Sequence, residues 1–599
     1  MQEFLYLSYT EDNRNKISIE KMNSFMKSKG YSFNENTSTS NIYNYSHKFQ
    51  YSRIENGLQI NISNLLIKGS TTGIYPNNEI GNLKAEEILS IIQSADLLNS
   101  NLQFEGSLSY LYELGDSIIF QNDIEGFRKI FYYIDKGIIC VSSFMPLILL
   151  AIRKDWFLNS KSVLRFFSSR ESMWPSTLVD GISVLEPKSK ALVSNNEIKI
   201  TNYTYSELFD LKKKPIKHVE SDLKSFYFKQ LSYLFNNNNC LMSLSGGFDS
   251  SNLLSFVTNF RKKDVHAISI GYQTNRLKDV NLYNETNYAE NIANYYNVPI
   301  SKYIVDKDKF FESFESLLEI IDQPAVDPSS FNLMSMLTKR EDKTALVSAM
   351  GGDALFSSKI SGKLYLTFYN IACFIPEKIL KILVKLSGKR GPFNAFSQIY
   401  KDGISAKNPF VAIDRLRIST LLMKFYLPSS FDLMEDCRKQ QLDYWNNIFL
   451  KSKTKLDILY SFAALSNPDE YHAYTVAERQ GVLMYQPLIK INSVIEVLNA
   501  SNYYSNINSR KFLCRMFGVN KNLLYKGKSG FSIPYADWCK EISEETFEFW
   551  YKNTEISNLI DLKSFHSEYL KNFNLHSYSI IVWKMYVLMR YMERYSLRY

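Results

Sequence analysis

Ser243-Leu244-Ser245-Gly246-Gly247-Phe248-Asp249-Ser250-Ser251 is the stretch on which the reading of this chain turns. It follows an apolar run at 240–244 and precedes Leu253, Leu254, Phe256, Val257 and Phe260, which fall at helical spacing, so it is a turn between a strand and a helix. Two glycines let backbone N–H groups approach an anion closely, the serine hydroxyls add donors, and the helix that follows presents its positive end. That combination suits pyrophosphate. Asp249 cannot donate to phosphate, and a carboxylate beside a phosphate nest reads as a Mg²⁺ ligand. The same letters also read as a Gly-rich turn with a Ser or Asp helix cap. The Walker spacing and its lysine are absent.

Downstream, short apolar strands at 265–270, 303–305 and 345–349 alternate with helical patterns carried by Ala289, Ile292, Ala293 and Tyr296 and by Phe311, Phe314, Leu318 and Ile321. Such alternation implies a parallel sheet covered by helices. Ser348-Ala349-Met350-Gly351-Gly352-Asp353-Ala354-Leu355-Phe356 ends another of these strands. Ligands of open α/β sheets bind at the carboxyl ends of strands, so Asp249 and Asp353 can converge on one metal ion. The phosphate-binding candidates are Leu244, Ser245, Gly246, Gly247, Asp249, Ser250, Ser251, Gly351 and Gly352, and the metal candidates are Asp249 and Asp353.

The chain has 599 residues, 45% hydrophobic and 15% aromatic, which calls for more than one core because single cores stop growing near about 250–300 residues. Its formal net charge of +9 is spread among acids, without a nucleic-acid motif, and implies a mild attraction for phosphate-bearing or acidic ligands. The six cysteines form no CxxC pair, so neither a zinc site nor a disulfide framework is expected and a reducing cytoplasm fits. Met1-Gln2-Glu3-Phe4-Leu5 does not read as a secretory signal. The apolar run 137–152 contains Ser142, Ser143 and Pro146 and reads as a buried strand entering a helix, not as a membrane insertion. Residues 1–210 alternate short apolar runs with Asn, Ser and Gly and are expected to be β-rich. Lys212-Lys213-Lys214-Pro215-Ile216-Lys217 reads as an exposed connection to a second domain, 211–599, whose part beyond about residue 360 is helical with a largely aromatic core.

The glycine-rich segment resembles the pyrophosphate loop of the asparagine synthetase superfamily, whose members cleave ATP between the α and β phosphates. Further elements follow in order. Ile270 and Gly271 end the second strand where family members hold adenine by backbone contacts. Glu285 with Ala289 resembles the opening of the next helix, and Asp322-Gln323-Pro324-Ala325-Val326-Asp327-Pro328-Ser329 resembles an acidic, proline-containing loop. Glu478-Arg479, Gly481 and Pro487 are spaced like the stretch that borders the acceptor pocket, although Leu488-Ile489-Lys490 replaces the usual Phe-Leu-Asp. Lys526-Gly527-Lys528-Ser529-Gly530-Phe531-Ser532-Ile533-Pro534 resembles the family's lysine loop. The resemblance implies ATP and Mg²⁺ as cofactors, an α/β ATP-pyrophosphatase fold with a helical C-terminal region, and Lys528 and Glu478 as catalytic candidates, with Lys528 also facing the leaving pyrophosphate.

Phe120-Gln121-Asn122-Asp123-Ile124-Glu125-Gly126-Phe127-Arg128-Lys129-Ile130-Phe131-Tyr132-Tyr133 resembles a segment of class II glutamine amidotransferase domains, and Gly106-Ser107 and Leu185-Glu186-Pro187-Lys188 fall where that fold places turns. The expected fold for 1–210 is therefore an α+β, Ntn-type sandwich. Glutaminase chemistry there needs a cysteine as first residue with its own amine as base. Gln2 stands here and the first cysteine is Cys140, so ammonia from glutamine is not the expected amine. This pairing of domains is similar to the β-lactam synthetases and the lasso peptide cyclases. The altered acceptor stretch and the aromatic C-terminal region favour the cyclases, which join an Asp or Glu side chain of a precursor peptide to the peptide's own N-terminal amine. Met350 stands where β-lactam synthetases carry a tyrosine. The resemblance thus implies a cytoplasmic ligase with a precursor peptide as substrate, a leader-binding or protease partner and no nucleic acid. An ammonia-dependent asparagine synthetase, a β-lactam synthetase-like ligase and a non-catalytic nucleotide-binding scaffold are the alternatives.

Overall fold

The computed structural model describes residues 2–29, 31–38, 45–53, 65–70, 73–74, 80–81, 90–92, 107–123, 125–169, 175–194, 197–202, 213–261, 264–274, 285–337, 344–352, 356, 375–376, 379, 382, 421–449, 468–500, 510–520 and 533–599. Asp353, Lys528 and most of the stretch between 353 and 420 lie outside them.

The first region is built from strands β1 (Gln2–Tyr9), β2 (Tyr31–Ser38), β3 (Tyr45–Arg53), β4 (Leu65–Ser70), β5 (Ser107–Leu114), β6 (Ser117–Gln121), β7 (Phe131–Asp135), β8 (Ile138–Ser142), β9 (Ser183–Val184), β10 (Ser189–Ser194) and β11 (Glu197–Asn202). Antiparallel pairing gives two sheets, in the orders β9-β7-β8-β1-β3-β2 and β11-β10-β6-β5-β4. Side chains alternate across a strand, and β1 is apolar on both faces for that reason. Phe4 and Tyr6 meet Leu111, Ile118 and Phe120 of the second sheet, while Leu5, Leu7 and Tyr9 turn outward. Helices α1 (Ile19–Ser28), α2 (Met145–Ala151) and α3 (Ser160–Ser169) belong to the core on that outward face, through Met22, Met26, Leu147, Ile148, Val163 and Leu164. The apolar run 137–152 is indeed a strand, β8, running into a helix, α2.

A second region contains five parallel strands, β12 (Asn239–Ser243), β13 (His266–Tyr272), β14 (Ile300–Val305), β15 (Thr344–Val347) and β16 (Leu483–Tyr485), in the order β14-β13-β12-β15-β16. Strand β13 runs through Tyr272, one residue past the end read at Gly271, because it keeps pairing with β14 up to Tyr272 and Val305. Helices α4 (Ile216–Asn237), α5 (Phe248–Arg261), α6 (Thr286–Tyr296), α7 (Lys307–Leu318), α8 (Pro328–Met336), α9 (Pro468–Arg479), α10 (Ile491–Leu498), α11 (Arg510–Phe517), α12 (Tyr535–Tyr551) and α13 (His576–Tyr595) surround it. Met242, Ala267, Ala345, Val347 and Tyr485 face the layer that holds α4, α5, α6, α10 and α11. Ile268, Ile270, Leu346 and Met484 face α7, α8, α9 and α13, whose Trp583 is fully buried. That second core is continuous with the one beneath α1, α2 and α3, so the two regions share buried apolar surface.

The basic connection is less free than its charge suggests. Lys214 donates to both carboxylate oxygens of Glu496 at 2.9 Å and to Asp222 at 3.0 Å, and its backbone N–H bonds Asn499 C=O at 2.8 Å. The proline that follows ends this extended contact and lets α4 begin at Ile216. Among the described residues, no helix is long and apolar enough to cross a membrane.

Candidate active site

Strand order in the parallel sheet reverses at β12, with β13 on one side and β15 on the other. The loops that leave the carboxyl ends of β12 and β15 meet at this switch point, the place where open α/β sheets bind ligands. The glycine-rich segment is the first of these loops. Leu244 N–H bonds Ile268 C=O at 2.8 Å, and the Leu244 side chain is sealed in the core, so this residue offers the site only its backbone. Gly246 has φ +70°, and a Cβ there would lie 2.8 Å from Tyr288 Cβ and 2.9 Å from Ala289 N. Glycine is required twice over at this position, for its backbone conformation and for the close approach of α6.

Within the loop, Ser250 Oγ accepts from Ser245 N–H at 3.3 Å and lies 3.2 Å from Ser245 Oγ, while Gly247 N–H points to Ser245 Oγ at 3.4 Å. These long contacts hold the loop open and leave hydroxyls that can be turned toward an anion. Ser251 behaves differently. It is fully buried, and its hydroxyl donates to Gly247 C=O at 2.6 Å, so it locks the first turn of α5. Ser250 Oγ makes a longer contact to the same carbonyl, at 3.3 Å.

The second loop reaches the first. A Cβ on Gly352 would lie 3.5 Å from both Cβ and Cγ of Asp249, and 2.6 Å from Leu488 Cδ1. Gly351, at φ +78°, turns the chain into this approach. The backbone next to Asp353 is thus brought against the Asp249 carboxylate across the switch point. Ile270 contributes its side chain to the core, but beyond Ile268, the last residue paired with β12, the β13 edge at Ile270 and Gly271 runs on past the end of β12. Its backbone groups there can meet a planar base. The donor set fits a Mg-nucleotide: a cradle of small residues, hydroxyl and backbone donors, and a carboxylate that a second loop approaches.

Residues 234–371 match the family model for asparagine synthase. The match covers both loops and every strand from β12 to β15. No curated protein matches the chain in sequence. Among solved structures, an allosteric regulatory enzyme of purine biosynthesis is similar at 9% identity over 40% of this chain and 60% of that one, with a TM-score of 0.23. Glutamine phosphoribosylpyrophosphate amidotransferase from B. subtilis, complexed with ADP and GMP, is similar at 8% identity over 41% of this chain and 60% of that one, with a TM-score of 0.20. Likenesses this slight carry no argument about fold or chemistry, and this chain spans about three fifths of the length of each.

Beside the asparagine synthase segment, α9 lies along the first region. Lys129 Nζ sits 3.7 Å from the Tyr471 ring centre, Phe127 stacks on Tyr474 with ring centres 4.4 Å apart, and Arg128 forms an ion pair with Glu478. Tyr471, Tyr474 and Glu478 are three and four residues apart, which puts them on one helix face. The turn that meets them is closed by Asp123, whose carboxylate accepts from Phe127 N–H at 3.1 Å and Arg128 N–H at 3.0 Å. Burial, reinforced by Glu125, pushes the Asp123 carboxyl up to about 6. Glu478, the catalytic candidate, is thus paired with Arg128 at the seam between the regions. This was invisible in the sequence because its partner lies 350 residues away.

Arg479 faces the other way and is buried. Its Nε donates to Glu3 Oε1 and its Nη2 to Asp322 Oδ1, both at 2.9 Å, and its guanidinium lies 3.9 Å from the Phe144 ring centre. Ser143 Oγ donates to the second Glu3 oxygen at 2.5 Å, and Tyr471 O–H donates to Asp322. Asp322, which opens the acidic, proline-containing loop, is the hub of this cluster. Cys140 is 0% exposed in the outward core of β8, and burial pushes its thiol up, which keeps it protonated and unreactive.

Lys490 was noticed in the sequence only as a departure from the family pattern. Its ammonium lies 4.0 Å from Glu125 and within 5.7–5.9 Å of the Phe127, Tyr474 and Tyr485 ring centres. Burial works to lower its pKa, yet Tyr474 and Glu125 hold it above the usual lysine range, so it stays charged. Among the described residues, no group of three or more His, Cys, Asp or Glu side chains forms a metal cluster.

Proposed function

We propose that this protein is an ATP-dependent, AMP-forming amide ligase that adenylates an Asp or Glu side-chain carboxylate of a precursor peptide and closes a macrolactam with the peptide's N-terminal amine, as lasso peptide cyclases do. The asparagine synthase match implies ATP-dependent amide-bond formation. The observation that carries the reading is the approach of the Gly352 backbone to Asp249 at the switch point of the parallel sheet. It unites two motifs that are far apart in the chain at the one place where an open α/β sheet binds nucleotides.

In this mechanism the loop of Ser245, Gly246, Gly247 and Ser250 receives the phosphates, and Ile270 and Gly271 offer backbone groups to adenine. Asp249 and Asp353 are the residues to hold Mg²⁺, which when bound neutralises phosphate charge. The substrate carboxylate attacks the α-phosphorus, the bond to the bridging oxygen breaks, and pyrophosphate leaves. The N-terminal amine then attacks the activated carbonyl, AMP departs, and the amine proton is lost to solvent. Lys528 stabilises charge on the departing groups. Holding amine and acyl group in one enclosure makes the closure effectively unimolecular, and no covalent enzyme intermediate is needed.

That the amine comes from the substrate is supported by the head of β1. Glu3 there is held in an ion pair with Arg479, and Cys140 is sealed in the core, so among the described residues no thiol stands at the head of β1. The test is ATP–pyrophosphate exchange on the full chain with Asp- or Glu-containing precursor peptides. Exchange is expected with wild type, and a loss of at least about a hundredfold in Asp249→Asn, as for removal of a transition-state charge partner. Absence of exchange with every peptide, or undiminished exchange in Asp249→Asn, overturns the reading.

A further inference from the structure

Gln486 follows β16 directly, is 0% exposed, and among the described residues neither atom of its carboxamide has a hydrogen-bond partner. A buried donor and a buried acceptor left unmet are costly, and native folds seldom keep both on one side chain. The strand before it is covered on both sides. Tyr485 sends its hydroxyl to Gln230 of α4, and Met484 packs on the opposite face with Ala473, Tyr474 and Ala477 of α9. Gln486 leaves the strand at φ −120° and ψ 86°, next to Met484 on the α9 side.

That side holds a second group of the same kind. The Tyr474 hydroxyl is buried and, among the described residues, meets no partner either, although its ring is fixed by the stack on Phe127. Gln486 itself stands at the carboxyl end of the parallel sheet. Ser348 N–H bonds Tyr485 C=O at 2.9 Å, so Gln486 adjoins the start of the loop that carries Gly352 to Asp249. Leu488, two residues on, is the side chain that a Gly352 Cβ would strike.

We propose that Gln486 is a specificity-determining residue that reads a backbone amide of the acyl substrate, its NH₂ donating to a peptide C=O and its oxygen accepting from a peptide N–H. The inference rests on the amide-ligase reading of this same site and names its substrate class as peptide. A free carboxylate satisfies only the donor of the carboxamide and an ammonium only the acceptor, whereas the N–H and C=O of one extended peptide residue, which point the same way, satisfy both at once. Tyr474 O–H supplies a further donor to the same chain. Leaving the pair unmet until substrate arrives trades stability of the empty protein for discrimination, since a site built around unmet polar groups rejects ligands that cannot meet them.

The experiment uses the full chain, ATP–pyrophosphate exchange, and two probe sets: capped peptides bearing one Asp or Glu, and free aspartate and glutamate. Gln486→Met keeps length and volume while removing both polar atoms. It is expected to lower kcat/KM for capped peptides at least about tenfold, equivalent to one lost hydrogen bond of about 1.4 kcal/mol, to leave KM for ATP unchanged, and to raise the Tm of the ligand-free protein. Tyr474→Phe is expected to lower kcat/KM for the same peptides by a smaller factor. A peptide kcat/KM within twofold of wild type in Gln486→Met overturns this assignment while sparing the ligase. Exchange supported equally well by free aspartate or glutamate also overturns it. No exchange by wild type with any probe removes the ligase reading itself.

Discussion

Arg479→Met offers the sharpest test of how the two regions are joined. The side chains of Arg479, Glu3 and Asp322 are 2%, 0% and 0% exposed, so the substitution strands two buried carboxylates on opposite sides of the guanidinium. It also leaves Ile320 C=O, which accepts from Arg479 Nη1 at 2.5 Å, without that donor. Removing one member of a buried ion pair costs about 3–5 kcal/mol, most of it the desolvation of the charge left behind. Methionine retains much of the packing against Phe144, so the loss should come from charge. The triple variant Glu3→Gln, Asp322→Asn, Arg479→Met removes the stranded charges, and it should recover all but about 1–2 kcal/mol. Urea unfolding followed by tryptophan fluorescence is the assay, with Trp156, Trp550 and Trp583 all buried. Because one apolar core runs through both regions, the midpoint should move for the whole transition and not for a separate early phase. A cost below about 1 kcal/mol for Arg479→Met, or a triple variant no more stable than the single one, refutes the idea that this cluster rivets the regions together.

Two further outcomes are expected. Gly246→Ala should destabilise the protein by about 1–3 kcal/mol, because alanine must take φ +70° and its Cβ must push Tyr288 and Ala289 aside; exchange activity should fall with it, and an alanine variant as stable and active as wild type rules the close approach out. Glu186 is pushed up to about 7 by burial, against the opposing bond from Asn202. With a folded pKa above the unfolded one, the stability it contributes is fully present below about pH 4.5 and is lost as pH rises through 7, by at most about 3 kcal/mol. Glu186→Gln keeps the bond that Asn202 Nδ2 makes at 2.5 Å and removes the titration. Urea midpoints measured from pH 5 to 8 should therefore fall more steeply in wild type than in this variant, and parallel curves count against the assignment.

Local order is written in neighbouring residues. The strand, glycine-rich turn and helix around Ser245 to Ser251 were legible because hydrophobic period and turn chemistry are properties of neighbouring residues. The alternation that builds β12 to β15 was legible for the same reason. Tertiary structure alone decided the uses to which long-range side chains are put. Arg479 and Glu3 stand 476 residues apart, and Arg128 and Glu478 stand 350 apart, so no pattern in the chain marks either pair. That the Ser251 hydroxyl bonds Gly247 C=O at 2.6 Å is set by the helix that begins there. The burial of Gln486 follows from β16 lying at the sheet edge beneath the rest of the fold, which no neighbouring residue marks. Burial and pairing are set by which surfaces the fold brings together, and that is where a carboxylate becomes a rivet and a carboxamide becomes a binding group.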